Sequence, residues 1–471
     1  AARARASGVA ASYVLWMFFL EGIPFALLVG WLRGRALLVG ARTRWRTAVG
    51  AGACSALSYG IAVWAMTVAP VQDAILRVCA EYLAPGGVVY VSYNVYPGWK
   101  AREIVRDAMI LRGGPRDTPE EKLSYARGML EFLEQSARPD SVLRKTLEET
   151  MPIVRNSGNY YLLHEFLEPC NEPCYFKEFV ARAEARGLAY LCDAEPSTMF
   201  VQNYGEKVRD PLLRECGGSQ VMMEQYLDFL VNRTFRQTLL VKQGNAANIR
   251  YRLEVPRLRA LEFAGVFRVD GGEALAIDAR EQPCTALRDL KVTLRLPAHK
   301  AVAQALDASY PCSMSTEALL AAVVTLTGEP RTAVEPVVLA MLEELLILGA
   351  LRIRRTPVPA AASVSALPQV LAPVRRALAG LPASQATAVL CNQWHEPVSL
   401  TVLERSLLPL LDGAHTHEAL AAFLLDEVRA ERLRFLKDDQ PLTDPSALHA
   451  FAQEQVAQAL QGLRRKALLT A

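Results

Sequence analysis

The segment that decides the fold class is Leu83-Ala84-Pro85-Gly86-Gly87-Val88-Val89-Tyr90-Val91-Ser92-Tyr93-Asn94. Pro85, Gly86 and Gly87 end the helical pattern before them, because proline and glycine both interrupt helices. Residues 88–93 form a continuous apolar and aromatic run, which predicts a strand buried on both faces. Asn94 then stands at the carboxyl end of this strand, where ligands bind in α/β sheets. The segment therefore predicts an α/β sheet with a ligand-binding edge at Asn94.

The regions around this strand are mostly helical. Apolar residues recur at helical intervals in several stretches, and short β-branched or aromatic runs lie between them. The predicted helices cover residues 73–83, 100–111, 119–134, 140–156, 172–186 and 220–242, and the further predicted strands cover 187–192 and 198–201. The expected fold class is α/β in the first part of this region and mostly α in the rest.

Composition excludes several classes of protein. The 471 residues include 52 Lys and Arg against 49 Asp and Glu, a net charge of +3, which argues against a strongly basic nucleic-acid binder. Nine cysteines are scattered along the chain, so reduced thiols are expected rather than a disulfide framework. The close pair Cys170 and Cys174 has no second pair to complete a zinc site. His395, His415 and His417 also lack a carboxylate or cysteine at ligand spacing, so no metal is predicted.

The first 72 residues have a different composition from the rest. They contain one acidic residue, Glu21, and two apolar runs at 9–32 and 48–71 that are separated by an arginine-rich loop. This pattern predicts transmembrane-like helices with the loop on the cytoplasmic side. The stretches ASYVLW at 11–16, LEGIPF at 20–25 and YGIAVWAM at 59–66 resemble the early helices of EamA-like drug/metabolite transporters. The resemblance covers a small part of such a transporter, so residues 1–71 are interpreted as a fragment without transport activity of its own.

A second resemblance covers the chain from about residue 72 to its end. Residues 83–87 and the following strand resemble the late strand of class I S-adenosylmethionine-dependent methyltransferases. Five blocks narrow the resemblance to bacterial methyltransferases with a predicted regulatory domain, a group that includes protein-lysine methyltransferases: YNVYPGW at 93–99, YYLLHEFL at 160–167, NEPCYF at 171–176, LDFLVNRTFRQTLL at 227–240 and NQWHEPV at 392–398. The resemblance implies S-adenosylmethionine as cofactor and a partial class I methyltransferase sheet with a helical insertion.

The cofactor half of such a fold is missing from the sequence pattern. A class I fold needs an early strand with a glycine-rich loop and a second strand ending in an acid, and each βαβ unit takes about 30 residues. Residues 1–72 offer only Glu21 as the acid, and Gly50 and Gly52 follow no strand pattern. We therefore expect a methyltransferase truncated at its N-terminus, joined to the transporter-like fragment near residues 70–72 and unable to bind S-adenosylmethionine alone. The alternatives are a non-catalytic regulatory or protein-interaction module and a chimera from a misassembled reading frame.

The resemblance places candidate substrate residues at the end of the strand and on one helix. Tyr96 and Trp99, close to Asn94 in the sequence, could bind a lysine ammonium through cation–π attraction. The alternative is that Pro97-Gly98-Trp99 forms a turn with a packed tryptophan. Helical spacing puts Tyr161 and Glu165 on one face and Tyr160 and His164 on another, and His164 has the alternative role of an ordinary helix histidine. No catalytic or cofactor-binding residue is assigned. The predicted substrate-binding residues are Asn94, Tyr96, Trp99, Tyr160, Tyr161, His164 and Glu165.

The C-terminal half contains two similar units on either side of a Pro/Ala/Ser-rich linker at 356–373. Each unit has two helices followed by a basic strand, which is typical of a winged helix. Glu343 and Glu344 lie where a base-reading helix would carry basic residues, so we expect protein docking or a homodimer rather than nucleic-acid binding. The predicted domains are 1–71, 72–205 with a helical insertion at about 101–186, 206–356, and 374–471. Residues 72–471 are expected in the cytoplasm, and 9–71 allow membrane association.

Overall fold

The computed structural model describes residues 71–168, 171–381, 388–437, 440–442 and 444–470. The chain divides into two compact units, with the division between Tyr251 and Arg252. The transmembrane-like helices predicted at 9–32 and 48–71 lie, up to residue 70, outside the described residues. No helix within the described ranges combines the length and apolarity that a bilayer span needs.

The described part of the first unit contains a small sheet, a bundle of four helices and four further helices. Predicted helices are present at all positions between residues 71 and 186, with ends shifted by a few residues. In chain order the elements are α1 (Val71–Tyr82), β1 (Val89–Asn94), α2 (Gly98–Gly113), α3 (Pro119–Ser136), α4 (Val142–Asn156), α5 (Asn159–Glu165), α6 (Phe176–Glu184), β2 (Leu188–Asp193), α7 (Glu206–Glu215), α8 (Gln220–Leu230) and β3 (Phe235–Lys242).

The sheet of this unit has the order β1-β3-β2, and β3 is antiparallel to both neighbours. The prediction of one helix over 220–242 is therefore wrong: α8 ends at Leu230, Asn232 turns the chain with a φ of 50°, and β3 becomes the central strand. The predicted strand at 198–201 is also wrong, because Pro196–Met199 and Val201–Tyr204 form 3₁₀ turns. At 235–242, pairing with β1 and β2 overrides the local apolar pattern.

Strand β1 is buried on one face only, contrary to the expectation from its continuous apolar run. Tyr93 is buried whereas Tyr90 is 55% exposed, so the side chains alternate between core and solvent. Among the described residues β1 pairs only with β3, which leaves it at an edge of the sheet. The core beneath it is formed by α1 and α6, with Leu76 and Phe179 fully or almost fully buried.

Helices α2 to α5 pack around a separate apolar core. This core contains Val105 and Met109 of α2, Leu130 of α3 and Leu162 of α5. Helices α2 to α5 thus form most of the helical insertion expected at about 101–186, whereas α6 packs on the sheet. The chain enters this bundle directly from the end of β1, so the bundle and the sheet edge are joined at residues 95–98.

The described residues of the second unit form two large apolar cores and a third, smaller one. Its elements are α9 (Val255–Leu258), β4 (Glu262–Ala264), β5 (Arg268–Val269), β6 (Gln282–Thr285), β7 (Lys291–Leu294), α10 (Pro297–Ser309), β8 (Met314–Ser315), α11 (Thr316–Thr327), α12 (Arg331–Leu348), β9 (Arg352–Arg354), α13 (Ala372–Ala379), β10 (Ala388–Cys391), β11 (Pro397–Leu400), α14 (Val402–Leu407), α15 (His417–Arg429), β12 (Leu436–Lys437), β13 (Gln440–Pro441) and α16 (Pro445–Arg465).

The segment predicted as a linker at 356–373 packs against its surroundings rather than behaving as a free connection. Val358, Ala360 and Val370 are at most 5% exposed, and Val370 bridges to Leu469. The basic strand predicted after residue 463 begins instead as the last turn of α16, and isolated bridges at Leu469 and Thr470 replace a strand. These small apolar residues are buried by contacts with other parts of the second unit. The Pro/Ala/Ser-rich composition of the segment does not predict this burial.

Candidate functional site

The carboxyl end of β1 brings together two of the predicted residues. The Nδ2 atom of Asn94 donates to Glu165 Oε1 at 3.3 Å and to Asn171 Oδ1 at 3.1 Å. Its Oδ1 atom is buried and has no hydrogen-bond partner among the described residues. Asn94 thus joins the strand to the end of α5 and keeps one acceptor for a further donor.

An aromatic pair lies beside this strand end. The Tyr96 and Tyr175 ring centroids are 5.4 Å apart, and the Lys100 ammonium lies 5.2 Å from the Tyr96 centroid and 5.4 Å from that of Tyr175. Tyr175 also stacks on Phe229 of α8. The pair forms because residue 174 runs alongside β1, where the Tyr96 amide donates to the Cys174 carbonyl at 3.1 Å. Sequence reasoning proposed Tyr96 but missed Tyr175, since this pairing crosses the whole helical bundle.

The hydroxyl of Tyr96 is held by an acid of the next helix. It donates to Glu103 Oε1 at 2.7 Å. Burial, together with this hydrogen bond, raises the pKa of Tyr96 to about 12. The phenol therefore stays neutral at physiological pH, and the ring keeps the electron-rich face that attracts a cation.

Trp99 lies in the core rather than in the open site. Its side chain is fully buried, its ring centroid lies 6.3 Å from that of Phe166, and its Nε1 atom has no hydrogen-bond partner among the described residues. Gly98, which precedes it, is pressed against the backbone of residues 232 and 233. This geometry favours the packed-tryptophan alternative for the turn at 97–99 over direct contact with a substrate lysine.

The four candidates on α5 separate as the helical spacing predicts. Tyr160 is 77% exposed, and its ring centroid lies 4.3 Å from that of His164. Tyr161 is on the same side as Glu165, and burial and that carboxylate raise the pKa of Tyr161. Of these four, Glu165 therefore contacts Asn94, Tyr161 lies beside Glu165, and Tyr160 and His164 form an exposed pair.

A buried ionic network in the same unit was missed by sequence reasoning. Arg236 of β3 is 1% exposed and makes two 2.8 Å hydrogen bonds to the carboxylate of Asp228 and one of 2.8 Å to Glu224. Asp193 lies 3.4 Å from the same guanidinium, and Arg233 lies 2.7 Å from Asp228. Charged residues in the block at 227–240 gave a weak signal, but only the fold shows that they are buried together.

Burial and the neighbouring charges shift the pKa values of the groups in this network. It raises the pKa of Asp193 and of Glu224, although Arg236 opposes the rise at both carboxyls. Burial alone would lower the pKa of Arg236, but Glu224 and Asp228 raise it above its usual value. The guanidinium is therefore always charged and holds the three acids next to each other.

The described residues do not fit the cradle that a nucleoside methyl donor needs. β1 is followed by Val95-Tyr96-Pro97-Gly98 and β2 by Ala194-Glu195-Pro196, neither of which is a Gly-x-Gly turn opening a helix. We therefore assign none of these residues to S-adenosylmethionine. In the described ranges there is also no cluster of His, Cys, Asp and Glu suited to a metal ion.

Two family models match separate parts of the chain. Residues 158–242 match the predicted methyltransferase regulatory domain, and residues 372–468 match the C-terminal winged helix domain of PKMT. The first match spans α5 to β3 and includes Glu165, Tyr175 and the buried network. The second confirms the winged helix predicted in the C-terminal part of the chain.

The chain is also similar to bacterial proteins of uncharacterised function. It is 34% identical over 188 residues to protein RP789 of Rickettsia prowazekii, which covers 39% of this chain and 33% of that protein. It is 27% identical over 249 residues to protein sll1526 of Synechocystis, which covers 47% of this chain and 46% of that protein. The matched region is thus less than half the length of each of these relatives.

The fold is similar to that of a solved structure. PKMT2 from Rickettsia typhi matches with a TM-score of 0.73 at 24% identity, covering 85% of this chain and 78% of that one, and its complex with AdoHcy matches with a TM-score of 0.74. None of these matches supports the transporter resemblance of residues 1–71 or an N-terminal truncation. The chain therefore has a PKMT-like fold; part of its first unit matches the predicted methyltransferase regulatory domain, and part of its second matches the C-terminal winged helix domain of PKMT.

Proposed function

We propose that this chain is an S-adenosylmethionine-dependent methyltransferase of the protein-lysine type and that the end of β1 binds the lysine side chain. The regulatory-domain match, the winged-helix match and the PKMT-like fold support the class of enzyme. The AdoHcy bound to PKMT2 supports a donor of the same chemistry here, whose role is to supply the methyl group. The substrate is then a protein, consistent with the expected protein partner.

The observation that carries the proposal is the position of Lys100. The chain's own lysine places its ammonium over the rings of Tyr96 and Tyr175, at 5.2 and 5.4 Å from their centroids. Lys100 is exposed, so it can leave and give its place to the lysine of another protein. The aromatic pair would bind the methylene chain and ammonium through cation–π attraction, and the free Asn94 Oδ1 atom supplies an acceptor at the same end of the strand.

The first experiment is calorimetric titration of the full chain with S-adenosylmethionine, followed by transfer of a labelled methyl group to lysine-containing peptides. The proposal requires saturable donor binding and label on lysine. Failure to bind at millimolar donor would contradict the proposal and favour the alternative of a non-catalytic module. Absence of donor binding would agree with the poor fit of the described residues to the donor. It would also agree with the expectation from the sequence that the chain alone does not bind S-adenosylmethionine.

The second experiment tests the aromatic pair. Tyr96→Leu and Tyr175→Leu should each raise the KM for the peptide by about two- to thirty-fold, the range that corresponds to one cation–π contact. Tyr96→Phe keeps the ring and should stay near the wild-type KM. Tyr82→Leu is the matched control, because Tyr82 is 76% exposed on α1. Equal effects of the Tyr82 and Tyr96 changes would show that the pair does not bind the substrate.

The second candidate function is a protein-interaction module without catalysis. It is favoured by one surface in the first unit, where Tyr226, Phe229, Leu230 and Val231 of the α8 region are each between 41% and 56% exposed. Exposed apolar side chains that lie together are typical of protein contacts. Such a module would bind a protein or a second copy of the chain and transfer no methyl group.

A further inference from the structure

The second unit contains a cavity of about 680 Å³ that the proposed lysine site does not use. Its charged lining comes from four places in the sequence: β5, the turn after β6, the end of α10 and the end of α16. The ionisable lining residues are Arg268, Arg288, Asp289, Asp307, Tyr310, Arg464 and Arg465. Four guanidinium groups thus face the same space as two carboxylates.

The two carboxylates do not use up this positive charge. Asp307 Oδ1 accepts the backbone N–H of Phe267 at 3.1 Å, so part of its capacity is already used. Arg268 and Arg465 are exposed and make no ion pair with any described residue. The cavity lining therefore has four arginines and two carboxylates, which is two more positive charges than negative ones.

Backbone carbonyls hold the side chain of Arg464, and the turn that carries Arg288 has an unusual backbone conformation. Arg464 Nη1 donates to the carbonyls of Tyr310 at 2.8 Å and Ala362 at 3.2 Å, which fixes one side of its guanidinium. Arg288 and Asp289 follow one another with φ angles of 60° and 58°, a left-handed conformation that non-glycine residues rarely adopt. The turn that presents Arg288 to the cavity thus has a conformation set by its surroundings.

We propose that this cavity binds a diphosphate group, either free or as part of a nucleotide. Guanidinium groups form paired hydrogen bonds with phosphate oxygens, and several arginines converging from different elements suit an anion with more than one charge. A diphosphate carries two or more negative charges at neutral pH, so its charge is opposite in sign to the arginine surplus and at least as large. The concave shape and the volume of about 680 Å³ suit a small molecule better than the flat contact of a protein partner.

The test is calorimetric titration of the full chain with inorganic pyrophosphate and, separately, with ADP. We expect saturable binding of both. Arg268→Gln and Arg465→Gln should each weaken it by roughly ten-fold or more, the effect of losing one charge-assisted hydrogen bond. ADP binding much tighter than pyrophosphate would identify a nucleotide as the ligand, and equal binding would identify the free diphosphate.

Arg434→Gln is the matched control, because Arg434 is exposed in the same unit and does not line the cavity. Thermal unfolding of each variant without ligand shows whether it is folded. If Arg268→Gln does not fold, Arg465→Gln and Arg465→Lys provide the same comparison. The proposal is overturned by absence of saturable binding at millimolar ligand, by wild-type affinity in both folded glutamine variants, or by equal competition from citrate at constant ionic strength.

Discussion

Replacing Arg236 with methionine removes a cation that contacts all three buried acids of the ionic network. The structure gives this side chain two 2.8 Å hydrogen bonds to Asp228, one of 2.8 Å to Glu224 and a 3.4 Å contact with Asp193. Its guanidinium also lies 3.7 Å from the Phe176 ring centroid. Methionine fills a similar volume, so the variant loses the charge and the hydrogen bonds rather than the packing.

The expected loss of stability follows from the acids that remain. Removing one partner of a buried ion pair costs about 3–5 kcal/mol, because the other charge is left buried without compensation. Arg233 still contacts Asp228 at 2.7 Å, which favours the lower end of this range. Since about 1 kcal/mol changes the melting temperature of a domain of 150–250 residues by about 2–4 °C, the first unit should melt roughly 6–20 °C earlier.

The assay is urea unfolding followed by far-ultraviolet circular dichroism and by tryptophan fluorescence, with thermal melting as a second measure. Arg209→Met is the matched control, since Arg209 pairs with Asp210 at 2.7 Å in the same unit but on the surface, where a small change is expected. Arg236→Met combined with Asp228→Asn should recover part of the loss. A loss below about 1 kcal/mol for Arg236→Met would refute the conclusion that this guanidinium compensates the buried acids.

Two further changes test the geometry elsewhere. In Gly98→Ala the added Cβ would lie 2.3 Å from the carbonyl oxygen of Asn232, so we expect the free energy of unfolding in urea to fall by about 1–3 kcal/mol. The control is Gly158→Ala, which should be nearly neutral because no atom lies within 4 Å of its added Cβ. Equal losses in the two variants would contradict the close approach at Gly98. Hydrogen bonds from Lys300 and Arg280 lower the pKa of Asp278 from 3.8 to about 2. Because the pKa is lower in the folded state, the ionised carboxylate stabilises the fold above pH 3.8, and this stabilisation is lost as the pH falls toward 2. Asp278→Asn should therefore reduce the change in melting temperature between pH 3.8 and 2. An unchanged pH dependence of the melting temperature in this variant would contradict the role of Asp278.

Helices could be predicted from the sequence because their signal is local. The spacing of apolar residues at 119–134 and 140–156 reflects one face of each helix, and caps such as Thr118 before α3 confirm where a helix begins. The turn Pro85-Gly86-Gly87 likewise marked the start of β1 correctly. In these stretches the periodicity of a few neighbouring residues is enough to specify the structure.

Features that depend on distant partners could not be predicted in this way. Residues 235–242 continue the apolar pattern of α8, and only their pairing with β1 and β2 makes them a strand. Tyr175 reaches Tyr96 because residue 174 bridges to Val95 across the bundle. Arg236 carries no local sign of burial, since its partners Asp193 and Glu224 lie on other elements.

The position of β3 at the centre of the sheet has a consequence for how the chain acquires its structure. β1 and β2 are both made before β3, yet among the described strands each pairs only with β3. During synthesis the sheet cannot close until residue 242 has left the ribosome, whereas the bundle of α2 to α5 has its own core and can form earlier. A recombinant fragment that ends before Phe235 would keep two strands without a partner between them, exposed to pairing with other chains.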